Sequence, residues 1–214
     1  MRMRCLKKVF CAALALTAVF SLTTIARAQT QCTSTLTNAD VPCNLTVPPG
    51  ATCILDGGTV TGSVFVESTG CLIVGQGGHS TTIGGNITAT DAACLSIGFG
   101  SSVAGNVTVT GTTGDTPGHT FNFLCNSSIG GSLDIENSGA GANWCIGYSG
   151  SPCSCAAGET IHGSLTFDNN AGTTINNISD NAITGALSCS GNNANLAGSG
   201  NTAGGGKFGQ CSGF

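Results

Sequence analysis

One short phrase of apolar and small residues recurs along the chain. It consists of an apolar residue, any residue, glycine, a small residue that is usually Asn or Ser, and then an apolar-x-apolar step. Six segments fit this phrase: 60–66, 83–89, 103–109, 129–135, 161–167 and 183–189. Their glycines stand 23, 20, 26, 32 and 22 residues apart. Such periods, with β-branched strands, are typical of a solenoid in which each repeat forms one coil.

A second apolar segment lies between successive phrases, at 53–57, 71–75, 94–98, 121–125, 144–147 and 173–178. Each coil is therefore predicted to carry at least two strands, separated by Gly- and Asn-rich corners. Alternation directs Val60, Gly62, Val64 and Val66 to the interior, and successive coils pair in parallel about 4.8 Å apart. An antiparallel sandwich is the alternative, but it does not explain one recurring phrase. The sequence thus predicts an all-β, single-domain parallel β-solenoid of about six coils.

Three stretches carry a family resemblance: the phrase itself, LTVPPGATCIL at 45–55, and the Gly- and Asn-rich run at 188–211. Together they resemble bacterial secreted right-handed parallel β-helix repeat proteins of unassigned function. The resemblance covers nearly all of the chain beyond residue 28, and it implies a right-handed coil without implying an activity. Bactofilins share a similar pattern of glycine and apolar residues, but they are cytosolic and charged. The leader and the cysteines described below therefore argue against a bactofilin.

The N-terminus has the three parts of a secretory signal peptide. Arg2, Arg4, Lys7 and Lys8 precede an apolar run at 9–25, and Ala-Arg-Ala follows at 26–28. A transmembrane anchor is the alternative, but hydroxyl residues interrupt the run. We expect a signal peptide at 1–28, an N-terminal cap at 29–52, coils at 53–190 and a C-terminal cap at 191–214. The mature protein is then secreted, extracellular, periplasmic or on the cell surface, with no membrane insertion.

Loss of the leader changes the charge of the protein. Five of the six basic residues lie in 1–28, so the mature chain keeps Lys207 against ten acids, a formal charge of −9. Such a surface repels phosphate backbones and anionic membranes, so no nucleic-acid partner is expected. The sequence also contains no motif for a metal or a cofactor, so none is predicted.

Eleven cysteines lie beyond the leader, and in an exported protein that number indicates disulfides. Cys71 and Cys94 each stand four residues before the glycine that ends their strand, so they are predicted to bond across neighbouring coils. Further predicted pairs are Cys125 with Cys145, Cys189 with Cys211, and Cys43 with Cys53 or Cys32. Because eleven is odd, at least one thiol must be free or paired with another chain, and we expect it near Cys153 and Cys155.

Catalytic machinery is sparse. Polysaccharide lyases and polygalacturonases combine carboxylates with Arg or Lys, and the mature chain has no Arg. A glycosidase needs only two carboxylates, and Asp134 with Glu136, supported by His162 or Asp168, is the best available pair. The alternative is that these acids only keep the surface soluble.

A small polar array is the other candidate site. Thr88, Thr90, Thr108 and Thr110 are predicted to point outward from two neighbouring coils as a flat Thr-x-Thr patch. Ordinary strand propensity also explains them. We therefore expect a structural or adhesive binding element without catalytic function, whose partner is a neutral glycan, a cell surface or another copy of the chain. A glycan hydrolase that uses Asp134 and Glu136, and an ice- or glycan-surface binder that uses the Thr array, are the alternatives.

Overall fold

The computed structural model describes residues 29–114, 121–147, 150, 155–193 and 195–214. The predicted signal peptide at 1–28 and Cys153 lie outside these ranges. Strands dominate the described ranges, which also contain a short 3-10 helix at Gln76–Gly78. No helix in the described ranges is long and apolar enough to cross a membrane.

Each coil contributes strands to three parallel faces, one more than the minimum that the sequence predicted. Face one contains β1 (Gln29–Gln31), β3 (Asn44–Val47), β5 (Val64–Val66), β8 (Ile87–Thr90), β11 (Val107–Thr110), β14 (Leu133–Glu136), β17 (Leu165–Asp168), β20 (Leu187–Ser190) and β23 (Lys207–Gly209). Face two contains β6 (Cys71–Val74), β9 (Cys94–Ile97), β12 (Phe121–Leu124), β15 (Asn143–Ile146), β18 (Asn176–Ser179) and β21 (Leu196–Ser199). Face three contains β7 (Thr81–Ile83), β10 (Ser102–Val103), β13 (Ser128–Ile129), β16 (Thr160–Ile161), β19 (Ala182–Ile183) and β22 (Thr202–Ala203).

The long strand β4 (Thr52–Val60) joins faces two and three. Its residues 52–55 pair with β6, and its residues 58–60 pair with β7. On its other side β2 (Thr35–Val41) pairs along nearly the whole of β4. All of these pairings are parallel, which confirms the parallel β-solenoid and excludes the antiparallel sandwich.

The apolar residues of the phrase form the core, and equivalent positions pair from coil to coil. Val64 pairs with Ile87, and Val107 pairs with both Ile87 and Leu133. The following residues of this column are completely buried: Val64, Ile87, Val107, Leu133, Leu165 and Leu187. Since burial of such a side chain contributes about 1.5–3 kcal/mol, this column is a main source of stability.

A ladder of small polar side chains runs along the corner before face one, and we call it the outer ladder. Each member's side-chain oxygen accepts a hydrogen bond from the backbone N–H of the same position one coil later. The Asn86 oxygen accepts from Asn106 at 2.8 Å, and the Asn106 oxygen accepts from Ser132 at 2.8 Å. The ladder consists of Asn44, Ser63, Asn86, Asn106, Ser132 and Ser164, and it ends at the N–H of Ala186.

The outer ladder explains the phrase glycine. A Cβ on Gly105 would lie 2.0 Å from the Asn86 side-chain oxygen, and one on Gly85 would lie 2.5 Å from the Ser63 hydroxyl. The glycine therefore leaves room for the ladder side chain of the preceding coil. Gly62 is half-buried at this corner and does not point to the interior, so that part of the predicted alternation is wrong.

The repeat also extends into both segments that the sequence assigned to caps. Residues 41–47 and 203–209 lie in phrase register, because Leu45 pairs with Val64 and Leu187 pairs with Lys207. The turn that follows packs on the preceding coil, as Cys211 is fully buried and Phe214 packs against the core.

The disulfides confirm part of the predicted map. Cys71 bonds Cys94, with Cα atoms 4.5 Å apart, and Cys189 bonds Cys211. These cysteines face each other because equivalent positions of neighbouring coils are one strand spacing apart, as the register of Cys71 with Cys94 shows.

The other predicted pairs are wrong. Cys125 bonds Cys155, because Cys145 pairs in register with Phe123 and stands two positions away from Cys125. Cys145 is itself disulfide-bonded. Cys32 bonds Cys53. Cys43 is therefore the free thiol among the described cysteines, and Cys155 is not. Cys43 occupies the phrase-glycine position of its coil, and without that glycine the segment was not among the six that define the phrase.

Candidate functional site

Face one carries the predicted threonine array on its outer side. Thr88 pairs in register with Thr108, and Thr90 pairs with Thr110, so the four side chains form a patch across two neighbouring strands. Thr90 and Thr108 are exposed, whereas Thr88 and Thr110 are half-buried. The patch ends at Asp134, which is the next residue in the column after Thr108.

The same face continues toward the N-terminus as an open groove of about 510 Å³. Phe65 pairs with Thr88 and forms part of its lining, with 36% of its side chain exposed. Thr90 and Glu67 line the groove beside the aromatic ring, and Gln29 and Asn44 complete the polar side. The groove thus extends the threonine patch by an aromatic surface, a carboxylate and two amides.

Two of these polar groups are held by the fold. The Gln29 amide donates to the Thr46 hydroxyl, which fixes the edge strand β1 against β3. The Asn44 oxygen accepts from the backbone N–H of Ser63 at 2.9 Å, as the first member of the outer ladder. The groove is therefore lined by side chains whose orientation the coil determines, while Glu67 remains exposed.

Asp134 and Glu136 lie farther along face one, both half-buried on the outer side of β14. Asp134 stands between Thr108 and Thr166, and Glu136 stands between Thr110 and Asp168. The third carboxylate has a structural partner, because the Asp168 oxygen accepts from the backbone N–H of Ser190 at 2.7 Å.

His162 does not join this group in the way that the sequence suggested. It lies exposed at the corner before face one, where its backbone N–H donates to the carbonyl of Ile129. The two candidate carboxylates therefore stand beside threonines and another acid, and no basic side chain pairs with them among the described residues.

One acid–histidine pair escaped the sequence reasoning. The Asp56 carboxylate lies 2.8 Å from Nδ1 of His79, although the two residues are 23 positions apart. Asp56 falls in the bend of β4, and His79 follows the short 3-10 helix at the same corner. The sequence signal for this contact was the Gly-rich run at 75–78, which follows a strand and predicts a turn just before His79.

A buried carboxyl was missed as well. Glu159 is 1% exposed, and one of its oxygens accepts from the Ser127 hydroxyl at 2.5 Å. The other oxygen, Oε1, has no hydrogen-bond partner. Desolvation by burial raises the pKa of Glu159 to about 7, against the lowering effect of the Ser127 hydrogen bonds.

The groove is therefore suited to holding an uncharged polar ligand. An exposed aromatic ring offers a flat apolar surface, and the hydroxyl, amide and carboxylate groups around it offer hydrogen bonds. No group of three or more His, Cys, Asp or Glu side chains in the described ranges is arranged to hold a metal ion.

Comparison with known proteins adds no family to this description. No family model matches the chain, no curated protein matches it in sequence, and no solved structure matches it.

Proposed function

We propose that this protein is an exported binding element without catalytic function, which attaches to neutral glycans through the groove lined by Phe65, Glu67 and Thr90. The observation that carries the proposal is the exposed ring of Phe65 in a groove whose two amide side chains are held by the fold. Sugars present one apolar C–H face and a rim of hydroxyls, which matches that combination.

Charge favours a neutral glycan over an acidic one. Among the described residues that line the groove, Glu67 is charged and none is basic, and the chain beyond the leader has ten acids against Lys207. A uronic acid or a sulfated sugar would be repelled at this surface.

An extracellular or cell-surface location supports the same function. The described disulfides suit an oxidising compartment, and the leader-like N-terminus and the resemblance to bacterial secreted right-handed β-helix repeat proteins agree with export. Such a protein serves as an adhesive or structural element when its groove engages a cell surface.

Binding assays test this proposal. Neutral oligosaccharides are titrated calorimetrically into the oxidised mature chain, and Phe65→Ala is expected to weaken the best ligand at least about tenfold, since loss of the ring removes the stacking surface. Phe208→Ala is the matched control, because Phe208 is 53% exposed in the same outward column at the far end of face one.

Equal affinity of Phe65→Ala and the parent protein would refute the groove as the site. Product analysis on the same samples addresses the hydrolase alternative: turnover that disappears in Asp134→Asn and Glu136→Gln would replace binding as the function. Thermal hysteresis that Thr88→Lys or Thr108→Lys abolishes would favour ice binding instead.

A further inference from the structure

A second cavity, of about 340 Å³, opens on the outer side of face two. Its floor follows from the register of three strands. Ile73, Ser96 and Phe123 stand at equivalent outward positions on β6, β9 and β12. The small Ser96 therefore leaves a gap between two bulky apolar side chains.

The walls of this slot are apolar and cross-linked. The disulfide between Cys125 and Cys155 contributes both of its cysteines to the lining, and Phe99 forms another wall. Gln76 and Asn126 provide the polar groups at its edge, and both are exposed. None of the described residues that line the slot carries a charge.

Phe99 is the least expected of these residues. It stands two positions after the last inward residue of its strand, at a corner where the backbone is left-handed with φ of 55°. The equivalent corners of other coils hold Asn126, Asp180 and Gly200, residues that accept a positive φ readily. Phenylalanine is strained there, and its side chain is nevertheless 60% exposed.

Burial in the core therefore does not explain the aromatic residue at this corner. A strained, exposed aromatic side chain beside an apolar slot is typical of a residue selected for contact with a ligand. The backbones of Ile73 and Phe123 are two strand spacings apart, or about 9.6 Å. The space that their side chains leave over Ser96 suits the thickness of a flat ring.

We infer that this slot binds a flat, uncharged aromatic molecule of one or two rings, which lies over Ser96 between Ile73 and Phe123 and contacts Phe99. The inference is independent of the glycan groove, which lies on face one. Charge complementarity favours a neutral ligand, because the lining has no cation and the chain beyond the leader is strongly acidic.

Fluorescence titration of the oxidised mature chain with 2-naphthol tests this inference. We expect saturable binding with one site per chain. Phe99→Asn and Ser96→Ile are each expected to raise the dissociation constant at least about tenfold, the first by removal of the contacting aromatic ring and the second by filling of the gap. Phe208→Ser, which removes an exposed ring elsewhere, is expected to bind like the parent protein.

The same variants separate lost binding from lost folding. Asn accepts the left-handed corner, so Phe99→Asn is expected to raise the midpoint of thermal unfolding by roughly 2–4 °C while binding falls. Naphthalene-2-sulfonate, with the same rings and a negative charge, is expected to bind at least about tenfold more weakly. Absence of saturable 2-naphthol binding, or unchanged binding in Ser96→Ile or Phe99→Asn, would overturn the inference.

Discussion

The N-terminal and C-terminal halves of the solenoid place different polar side chains at the same buried corner. Between faces two and three, one buried polar position recurs in the six coils from β7 onward, and we call it the inner column: Thr81, Ser101, Ser127, Glu159, Asn181 and Asn201. The N-terminal coils place a hydroxyl there, and the C-terminal coils place an asparagine. Among the described residues, the buried asparagines begin only at Asn122.

The two kinds of side chain differ in the hydrogen bonds that they make. The Thr81 hydroxyl accepts from the backbone N–H of Gly57 at 3.1 Å and donates to the carbonyl of Leu55 at 3.2 Å. The Asn181 side chain accepts from the N–H of Glu159 and donates both to the carbonyl of Ile146 and to the Asn201 oxygen. Both side chains therefore satisfy backbone donors and acceptors, but the amide also donates to the amide of the next coil. The asparagine ladder thus adds buried side-chain hydrogen bonds that help to fix the coil register beside the apolar contacts.

Glu159 stands where the two halves meet. An ionised carboxylate can only accept, so it cannot donate to a carbonyl as the asparagines do. Its Oε1 has no hydrogen-bond partner, and desolvation by burial favours the protonated form. The junction is therefore the one position of the inner column with a titratable group.

Removal of a buried amide is expected to have the largest effect. Asn181→Ala leaves the N–H of Glu159 and the carbonyl of Ile146 without their partners, so we expect the free energy of unfolding to fall by about 3–5 kcal/mol. Asn106→Ala, in the exposed outer ladder, is expected to cost only about 0.5–1.5 kcal/mol because water replaces the lost bond. Denaturant titration compares them, and equal losses would contradict the distinction between the two ladders.

The pH dependence of stability tests the junction. Between pH 4.5 and about 7 the folded protein holds a proton on Glu159 that the unfolded chain has released, so raising the pH favours unfolding. This contribution is on the order of 3 kcal/mol across that range. Glu159→Gln is expected to remove it, as measured by denaturant midpoints from pH 4 to pH 8. Asp134→Asn is the control, and a pH profile of Glu159→Gln parallel to that of the parent protein would disprove the assignment.

The phrase glycine is expected to have an intermediate effect. In Gly105→Ala the new Cβ meets the Asn86 oxygen, which is already held by the N–H of Asn106, so we expect a loss of about 1–3 kcal/mol. The control is Gly139→Ala, where the nearest atom to a new Cβ is 3.6 Å away. If both variants unfold at the same denaturant concentration, the outer ladder does not require the glycine.

The smallest effect is expected at Cys43, whose thiol lies 3.4 Å from the Thr30 hydroxyl. Cys43→Ser keeps a group of similar size at a half-buried position without breaking a disulfide, so the free energy of unfolding should change by less than about 0.5 kcal/mol. Alkylation of the native protein followed by peptide mass analysis should modify Cys43 and leave Cys32 and Cys53 intact. Modification of Cys53 under the same conditions would contradict the observed pairing.

The repeat at 60–189 was sufficient to predict the parallel coils. When one phrase recurs once per coil, its apolar positions can stack on one another only if successive coils run parallel. The threonine patch and the pairing of Cys71 with Cys94 followed from the same register. The phrases at 41–47 and 203–209 escaped notice, since the first has Cys43 in place of glycine and the second has Lys207 at an apolar position. The predicted pairing of Cys125 with Cys145 was wrong because the repeat between Gly131 and Gly163 is longer than the others. Counting residues along the chain does not show which positions of such a repeat meet the preceding coil.

The sequence by itself determined the fold class, the faces on which side chains lie and the excess of acid, since periodicity and composition are local properties of the chain. Only the tertiary structure decided which residues meet across corners and insertions: Asp56 with His79, Glu159 with Ser127, and the slot between Ile73 and Phe123. The physical reason is that corner geometry and loop length set the offset between coils, and a shift of one position changes every contact that depends on it.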